Sequence, residues 1–506
     1  MRRWLAFSAE IIFICALILV TRCANYRDVF SGGQINFIDA DCYARMTRAR
    51  ICFEHPGTIV RRHDFENFPI GTSPHTTAPF DYLIVATATL LKPLSNNALD
   101  LAGALVSPLL SVALGIFLCW WTRNRRFRWG LLILYALSPI LAHGFALGRP
   151  DHQSLLITLI TVALCAEWSL ANANDTSLEA EEHRRDPLPR DRNTPNTSST
   201  GWSLVSGASW GLALWVSLYE PLILLAIMTV FRARAFFTRP RRIGWIVFAA
   251  ILAIAFMVER RIPQWPNREF ADALRNWSGA IGELSHVSLG NPIWFSWCGW
   301  LLLLAPFLFW PRRDPSMPWF LKALLIATFG LTIWQARWAY FFVMIFSMAL
   351  PELLLMLGKP IFAGVIFIIA LFPIGQSWDR MFELAGGGEN SVEMIELRAI
   401  ASQCDGAFIA PWWFSPALSY WSRQPGVGGS SHESIAGVVE SSQFFGAQNA
   451  EELRQILKRH NVRWVIAYDA DRVAQNSAQI LGTRFPQTLF VTYLIVDPVN
   501  CRHFYG

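Results

Sequence analysis

Charge is scarce in this sequence. Asp, Glu, Lys and Arg together make up 16% of its 506 residues, against roughly 25% in a soluble domain. That excludes a large soluble enzyme and points to a polytopic membrane protein. The small basic excess, +6, falls in short clusters between apolar runs, which forms no continuous basic face and excludes a nucleic-acid partner. Cysteine builds no framework either. The nine cysteines contain no CxxC pair and no Cys/His spacing of a zinc site. Cys119, Cys165 and Cys298 lie in or beside apolar runs and read as packing residues.

What the chain has instead is apolar length. It is 53% hydrophobic, with a mean hydropathy of +0.32, and many of its 23 Trp stand where apolar runs end, as in interfacial belts. Runs near the length that spans a bilayer, about 17 to 25 residues, fall at 4–21, 99–121, 129–147, 153–171, 202–218, 219–234, 243–259, 293–311, 318–335, 338–357 and 360–377. That makes about eleven transmembrane helices. The first run follows Met1-Arg2-Arg3, exceeds a signal-peptide core and lacks a small-x-small cleavage site. It reads as an uncleaved helix with a cytoplasmic N-terminus.

Basic clusters test that count. Arg123/Arg125/Arg126/Arg128, then Arg232/Arg234/Arg239/Arg241/Arg242, then Arg312/Arg313, then Lys359 follow every second span, as the positive-inside rule requires. The charged segment from Asn172 to Thr200 falls on the same side and is expected to be a disordered cytoplasmic loop. Its Asn196-Thr197-Ser198 therefore faces the wrong compartment for glycosylation. Parity makes the weaker apolar stretch Pro79 to Leu94 a re-entrant or interfacial helix.

The expected architecture is a polytopic α-helical membrane domain over 1–377, with outer loops 22–98 and 260–292, followed by an extracytoplasmic α/β domain over 378–506. Within the latter, Gly386-Gly387-Gly388 opens a polar region, and Ala407-Phe408-Ile409-Ala410 and Trp464-Val465-Ile466-Ala467 alternate as strands. Leu453, Ile456 and Leu457 recur at helical spacing between them. The chain is expected in the cell inner (plasma) membrane with its C-terminal domain outside.

This topology gathers polar residues from separate segments on the outer side. Asp39 and Asp41 follow the first span, Asp151 and His152 open the run at 153, Glu283 lies in the outer loop, and Arg337 sits between two apolar runs. Carboxylates at such a mouth are costly unless they hold a cation or a proton. Three carboxylates and a His from these separate segments, one of Asp39 and Asp41 with Asp151, Glu283 and His152, make a donor set suited to Mg or Mn. An arginine at the same level suits a phosphate or pyrophosphate, which it can grip with two parallel N–H bonds. Each residue also has a plainer role: Asp151 as a helix N-cap, Glu283 as a solvated loop residue, His152 as a loop hydrogen-bonder, Arg337 as a snorkelling side chain. Their shared side is what joins them.

The motifs around these residues resemble those of the oligosaccharyltransferase catalytic subunits, membrane glycosyltransferases of the GT-C class. Asp41-Cys42-Tyr43 with Arg45 resembles the family's first-loop Asp-x-Tyr segment, and Phe68-Pro69-Ile70-Gly71 with Pro79-Phe80-Asp81-Tyr82 its continuation. Gly148-Arg149-Pro150-Asp151-His152-Gln153 is similar to the second acidic motif, and Ala280-Ile281-Gly282-Glu283 to the Thr-Ile-x-Glu loop signature. Gln335-Ala336-Arg337-Trp338-Ala339-Tyr340 resembles the segment whose arginine holds the lipid-linked pyrophosphate. Ala410-Pro411-Trp412-Trp413, followed by Tyr420 and Gly428-Gly429-Ser430-Ser431-His432, resembles the start of the outer domain around Trp-Trp-Asp. The likeness runs from about residue 4 to 470 in the family's order.

The resemblance implies an inverting, metal-dependent glycosyl transfer from a lipid-linked sugar donor, a polyprenyl phosphate or pyrophosphate, to a protein or glycan acceptor at the outer membrane face. Asp41, Asp151 and Glu283 would be catalytic and, with His152, would hold the divalent cation; Arg337 would bind the donor phosphate. Asp39, Trp412 and Trp413 would face the acceptor. Two departures stand out. Gln153 occupies the place of a second metal ligand, and Phe414 replaces the Asp of Trp-Trp-Asp, removing an acceptor of the Ser/Thr hydroxyl bond. Three alternatives remain: transfer of a single sugar from a polyprenyl monophosphate to envelope glycan or lipid, a flippase or transporter of lipid-linked sugars, and a non-catalytic envelope scaffold.

Overall fold

The computed structural model describes residues 2–75, 77–182, 197–236, 238, 241–260, 268–310, 317–384, 389–447 and 449–484. Residues 183–196 of the charged segment, Arg239, Arg312, Arg313, Gly386-Gly387-Gly388 and the chain from 485 onward lie outside them.

Six of the described helices are long and apolar enough to cross a bilayer: Trp4–Arg22, Ala98–Trp121, His152–Asn172, Arg241–Glu259, Ala336–Met356 and Pro360–Glu383. The runs expected at 202–218, 219–234 and 318–335 are helical as well, over Thr197–Val216, Tyr219–Phe236 and Trp319–Trp334. Two expected runs are broken. Helix Arg128–Leu137 stops at Ser138, because Pro139 cannot donate into it, and a new helix starts over Pro139–Gly144. The run at 293 turns at Gly299, from helix Ile293–Cys298 into a 3-10 stretch, Trp300–Phe309. Gly299 has φ +67°, and a β-carbon there would lie 2.3 Å from the carbonyl oxygen of Ala370.

Helix Ala339–Met356 runs through the interior. Every side chain from Ala339 to Pro351 is buried, which its apolar character on all sides permits. Phe342 meets Trp294 and Phe329 there. The charged segment expected to be a disordered loop is helical as far as Glu182, a continuation of the helix that begins at His152. Its Ser177-Leu178-Glu179-Ala180-Glu181-Glu182 end is rich in helix formers, which the reading from charge alone overlooked. Glu167 of the same helix is buried and ion-paired with Arg232 at 3.1 Å and with Arg241. It lies about 24 Å along the helix from Asp151, at 1.5 Å per residue, so the two charged clusters occupy opposite ends.

After a short helix, Tyr26–Val29, and an antiparallel pair of two-residue strands, Phe30–Ser31 and Gln34–Ile35, the segment 22–98 carries two longer helices, Ala40–Glu54 and Ala78–Leu91. A buried pair, Arg45 to Asp81 at 2.9 Å, joins them, with Arg48 3.7 Å from the other carboxylate oxygen. The C-terminal region is mostly helical: Glu389–Ala401, Ser415–Ser422, Ile435–Gly446, Ala450–Arg459 and Ala470–Leu481. Both expected strands occur but are two residues long, Phe408–Ile409 paired in parallel with Trp464–Val465. The helix Phe372–Leu384 runs through residue 378, where the domain boundary was expected.

Candidate active site at one end of the helix bundle

A proline builds this site's foundation. Pro108 stands inside helix Ala98–Trp121 and has no N–H to give the carbonyl of Ala104, one turn earlier. That carbonyl instead accepts the amide of Gly148 at 3.0 Å. The carbonyl of Gly148 in turn accepts the amide of Ile38 at 3.0 Å, and the carbonyl of Arg149 accepts the hydroxyl of Ser107 at 2.5 Å. The acidic turn is thereby tied to both the membrane helix and the first outer loop. Gly148 adopts φ +72°, and a β-carbon there would lie 2.7 Å from Val29 Cγ2; only glycine fits.

Asp39 is the N-cap of helix Ala40–Glu54, accepting the amide of Cys42 at 2.9 Å. Asp41, in the first turn, is exposed to the recess that these segments enclose. Enclosure by protein, and then the carboxylate of Asp39, push its carboxyl up to about 8; Ser430 works against the rise, while Asp151 and Glu283 add to it. Tyr43 is buried instead of facing the recess, and its hydroxyl accepts the Phe37 amide at 3.1 Å.

Asp151 immediately precedes its helix, and its carboxylate turns to His152 Nδ1 at 2.6 Å and Arg149 at 3.7 Å. Burial alone would raise its carboxyl; His152, then Arg149 and Arg45, outweigh that and hold it far below the ordinary range. Glu283, in a 3-10 turn over Gly282–Leu284, accepts bonds from Arg149 Nη2 and from the Tyr340 hydroxyl at 2.9 Å. Burial works to raise it, and Arg149 foremost holds it below its usual value. It is no free loop residue. Gln153 is buried, and its side-chain oxygen accepts no hydrogen bond among the described residues.

Arg337 lies in the 3-10 turn Ala336–Trp338 and pairs with Glu220, which also accepts Ser217 Oγ at 2.7 Å. The Nε atoms of Arg149 and Arg337 are both buried and make no hydrogen bond among the described residues. Trp412 and Trp413 are partly exposed, but their indole N–H groups bond to Asn476 Oδ1 at 2.7 Å and Tyr468 Oη at 3.1 Å. Phe414 is 5% exposed and packs edge-on against Tyr468, inside a core of the C-terminal region.

Sequence reasoning missed Arg149, Tyr340, His143 and Glu220. Arg149 shares the acidic turn and Tyr340 falls one helical turn after Arg337, so spacing pointed to both. His143 lies within 2.9 Å of the Tyr340 hydroxyl, and Glu220 opens a helix at Leu218-Tyr219-Glu220-Pro221. The set expected to hold a metal, Asp41, Asp151, His152 and Glu283, shares one mouth; Asp151 turns to His152 and Arg149, and Glu283 accepts bonds from Arg149 and Tyr340. The described residues whose ligand atoms do gather, within 4.8 Å of one another, are His75, His432 and Glu433. His75 Nδ1 stands 2.8 Å from Glu433, and the rings of His75 and His152 are 6.3 Å apart.

No family model matches the sequence, and no curated protein matches it. Solved structures do match. The archaeal oligosaccharyltransferase AglB from Archaeoglobus fulgidus, in complex with an inhibitory peptide and a dolichol-phosphate, aligns over 94% of this chain and 70% of its own at TM-score 0.68 and 14% identity. An oligosaccharyltransferase from the same organism, in complex with Zn and sulfate, aligns over 90% of this chain and 67% of its own, at TM-score 0.66 and 15% identity. ArnT from Cupriavidus metallidurans, bound to undecaprenyl phosphate, aligns over 86% and 87%, at TM-score 0.52 and 12% identity.

Proposed function

With the fold of the GT-C membrane glycosyltransferases as premise, we propose that this chain transfers a glycan from a polyprenyl-linked phosphate or pyrophosphate to an acceptor at the outer face of the membrane. One observation carries the reading. At one end of an apolar bundle Asp151 and Glu283 meet the Arg149 guanidinium, with Asp41 and Arg337 within electrostatic reach, and among the described residues the Nε of each arginine makes no hydrogen bond. Residues 1–377 would form the membrane domain in the inner (plasma) membrane, with the N-terminus cytoplasmic and 378–506 outside. A lipid-borne donor explains a chain that is mostly membrane, because the sugar arrives within the bilayer.

The chemistry needs a nucleophile freed of its proton and a phosphate leaving group held as its charge develops. An acceptor hydroxyl or amide attacks the anomeric carbon opposite the phosphate, and the carbon–oxygen bond to the phosphate breaks. The acceptor's proton passes to the carboxylate of Asp41, at the recess the acceptor would enter. The leaving phosphate accepts N–H groups from Arg337 and Arg149, an electrostatic and positioning role. Glu283 and Tyr340 hold Arg149 in place.

The donor set also fits a divalent cation. Asp41 is raised because Asp39, Asp151 and Glu283 crowd it, a surplus of negative charge that a cation relieves. Asp41 and Asp151 would hold Mg or Mn, joined by Glu283 or His152 once released from their present partners. Such an ion supplies a fixed positive charge that orders acceptor and carboxylates.

A second reading concerns the acceptor. Phe414 is buried and both Trp N–H groups are taken, which favours a single-sugar transfer from a polyprenyl monophosphate to envelope glycan or lipid over selection of a Ser/Thr-containing peptide. A flippase would place its charged residues near the bilayer midplane; here they lie at one end. Mass spectrometry of glycoproteins and envelope glycans, with wild type or Asp41→Asn restored to a deletion strain, tests the function. A glycan lost in the deletion should return only with the wild type. Its return with a stably inserted Asp41→Asn would overturn the assignment of Asp41.

A further inference from the structure

The first outer helix, Ala40–Glu54, begins at the recess and ends at a different cleft. Arg50, Phe53 and Glu54 lie about 13–20 Å along it from Asp41, at 1.5 Å per residue. There they face the connection at 92–99 and the helices Glu389–Ala401 and Ser415–Ser422 across a cavity of about 640 Å³. Four cations line it: Arg50, Lys92, Arg398 and Arg423. Its two carboxylates are already engaged. Asp100 accepts the Tyr420 hydroxyl, and Glu54 pairs with Arg423 at 3.0 Å. Lys92 and Arg398 have no carboxylate partner among the described residues. Arg50 gives one N–H to the Tyr420 carbonyl at 2.6 Å and lies 4.6 Å over its ring, which fixes its position.

The rim has the opposite character. Leu90 and Leu94, at and just past the end of helix Ala78–Leu91 and two residues either side of Lys92, are 77% and 81% exposed. A soluble anion would use the cations and leave this apolar lip in water. A lipid uses both, with its phosphate among the cations and its chains against the leucines.

We propose that this cleft binds the phosphate of an anionic membrane lipid, at a site separate from the donor's. Lys92 and Arg398 supply the unpaired charge, Arg50 is preset by Tyr420, and Trp421 forms the wall beneath Arg398, whose guanidinium lies 5.4 Å from its ring. The proposal does not depend on which sugar is transferred.

The test uses the full chain in phosphatidylcholine nanodiscs doped with phosphatidylglycerol, and native mass spectrometry to count the phosphatidylglycerol that stays bound. The wild type should retain it. Lys92→Ala/Arg398→Ala should weaken retention by about tenfold or more, while Lys92→Arg/Arg398→Lys keeps it. Soluble glycerol phosphate should not displace the lipid; displacement would mean that a free anion is the ligand, and would overturn the proposal. Equal retention by the double alanine variant would overturn it too. A second measurement stands independently of how that variant folds. Brominated phosphatidylglycerol, but not brominated phosphatidylcholine, should quench fluorescence that Trp421→Phe removes. Quenching by both lipids alike, or by neither, contradicts the proposal.

Discussion

Gly148 and Asp41 show how much of this site rests on single residues. At Gly148 a β-carbon would strike Val29 and approach the carbonyl of Asn36 at 3.2 Å, in a φ range that L-residues rarely adopt. Gly148→Ala should therefore displace the Asp151 turn, lowering transfer at least tenfold while insertion, checked by membrane fractionation, is retained. Asp41 makes a prediction about pH. Its folded carboxyl is raised to about 8, whereas an unfolded Asp titrates near ~3.9. Between those values the unfolded chain has lost the proton and the folded one keeps it, so the stability contribution present below ~4 is lost as pH rises toward 8. Metal-free protein should show a thermal midpoint falling over that window. Asp41→Asn should flatten the fall, and added Mg or Mn should reduce it in the wild type only. An identical slope in Asp41→Asn would remove Asp41 as its source.

Helices carry the site because two of them end or bend for identifiable reasons. Pro108 frees the Ala104 carbonyl, Gly148 takes it, and the acidic turn is held against the first-loop helix. The two outer-loop helices are joined by Arg45 and Asp81, whose side chains are 3% and 5% exposed. Asp81→Ala leaves Arg45 and Arg48 buried without their carboxylate, a loss of about 3–5 kcal/mol. Arg45→Met/Asp81→Leu should recover part of it, as read by urea or thermal denaturation in detergent. Much of this level was legible in the sequence. Apolar runs located the helices, and the alternating segments at 407 and 464 located the strand pair. The breaks were harder. Pro139 and Gly299 stood in plain view, but hydropathy averaged over a window passes smoothly across both. The helix through Glu182 was missed because charge was read as disorder although the residues favour helix.

For the molecule as a whole, topology predicted which residues share one end, and Asp39, Asp41, Asp151, Glu283 and Arg337 do gather there. Which atoms they would bond was not legible. Glu283 meets Arg149 and Tyr340, and Arg337 meets Glu220, through approaches of segments 57 to 134 residues apart that no local spacing encodes. The substitution at Phe414 was visible, whereas its burial against Tyr468 followed only from the fold. The central claim is that this assembly breaks the bond between a sugar and a polyprenyl phosphate. It is tested most directly by reconstituting the purified chain with lipid extract containing its polyprenyl-linked sugars and an acceptor fraction from the same envelope, then measuring released polyprenyl phosphate and pyrophosphate by mass spectrometry. The account predicts release that needs a divalent cation, falls at least a hundredfold in Asp41→Asn and Arg337→Ala, and persists in the lipid-cleft variant Lys92→Ala/Arg398→Ala. Undiminished release by Asp41→Asn and Arg337→Ala, or none from active-site-intact protein supplied with both fractions, would contradict it.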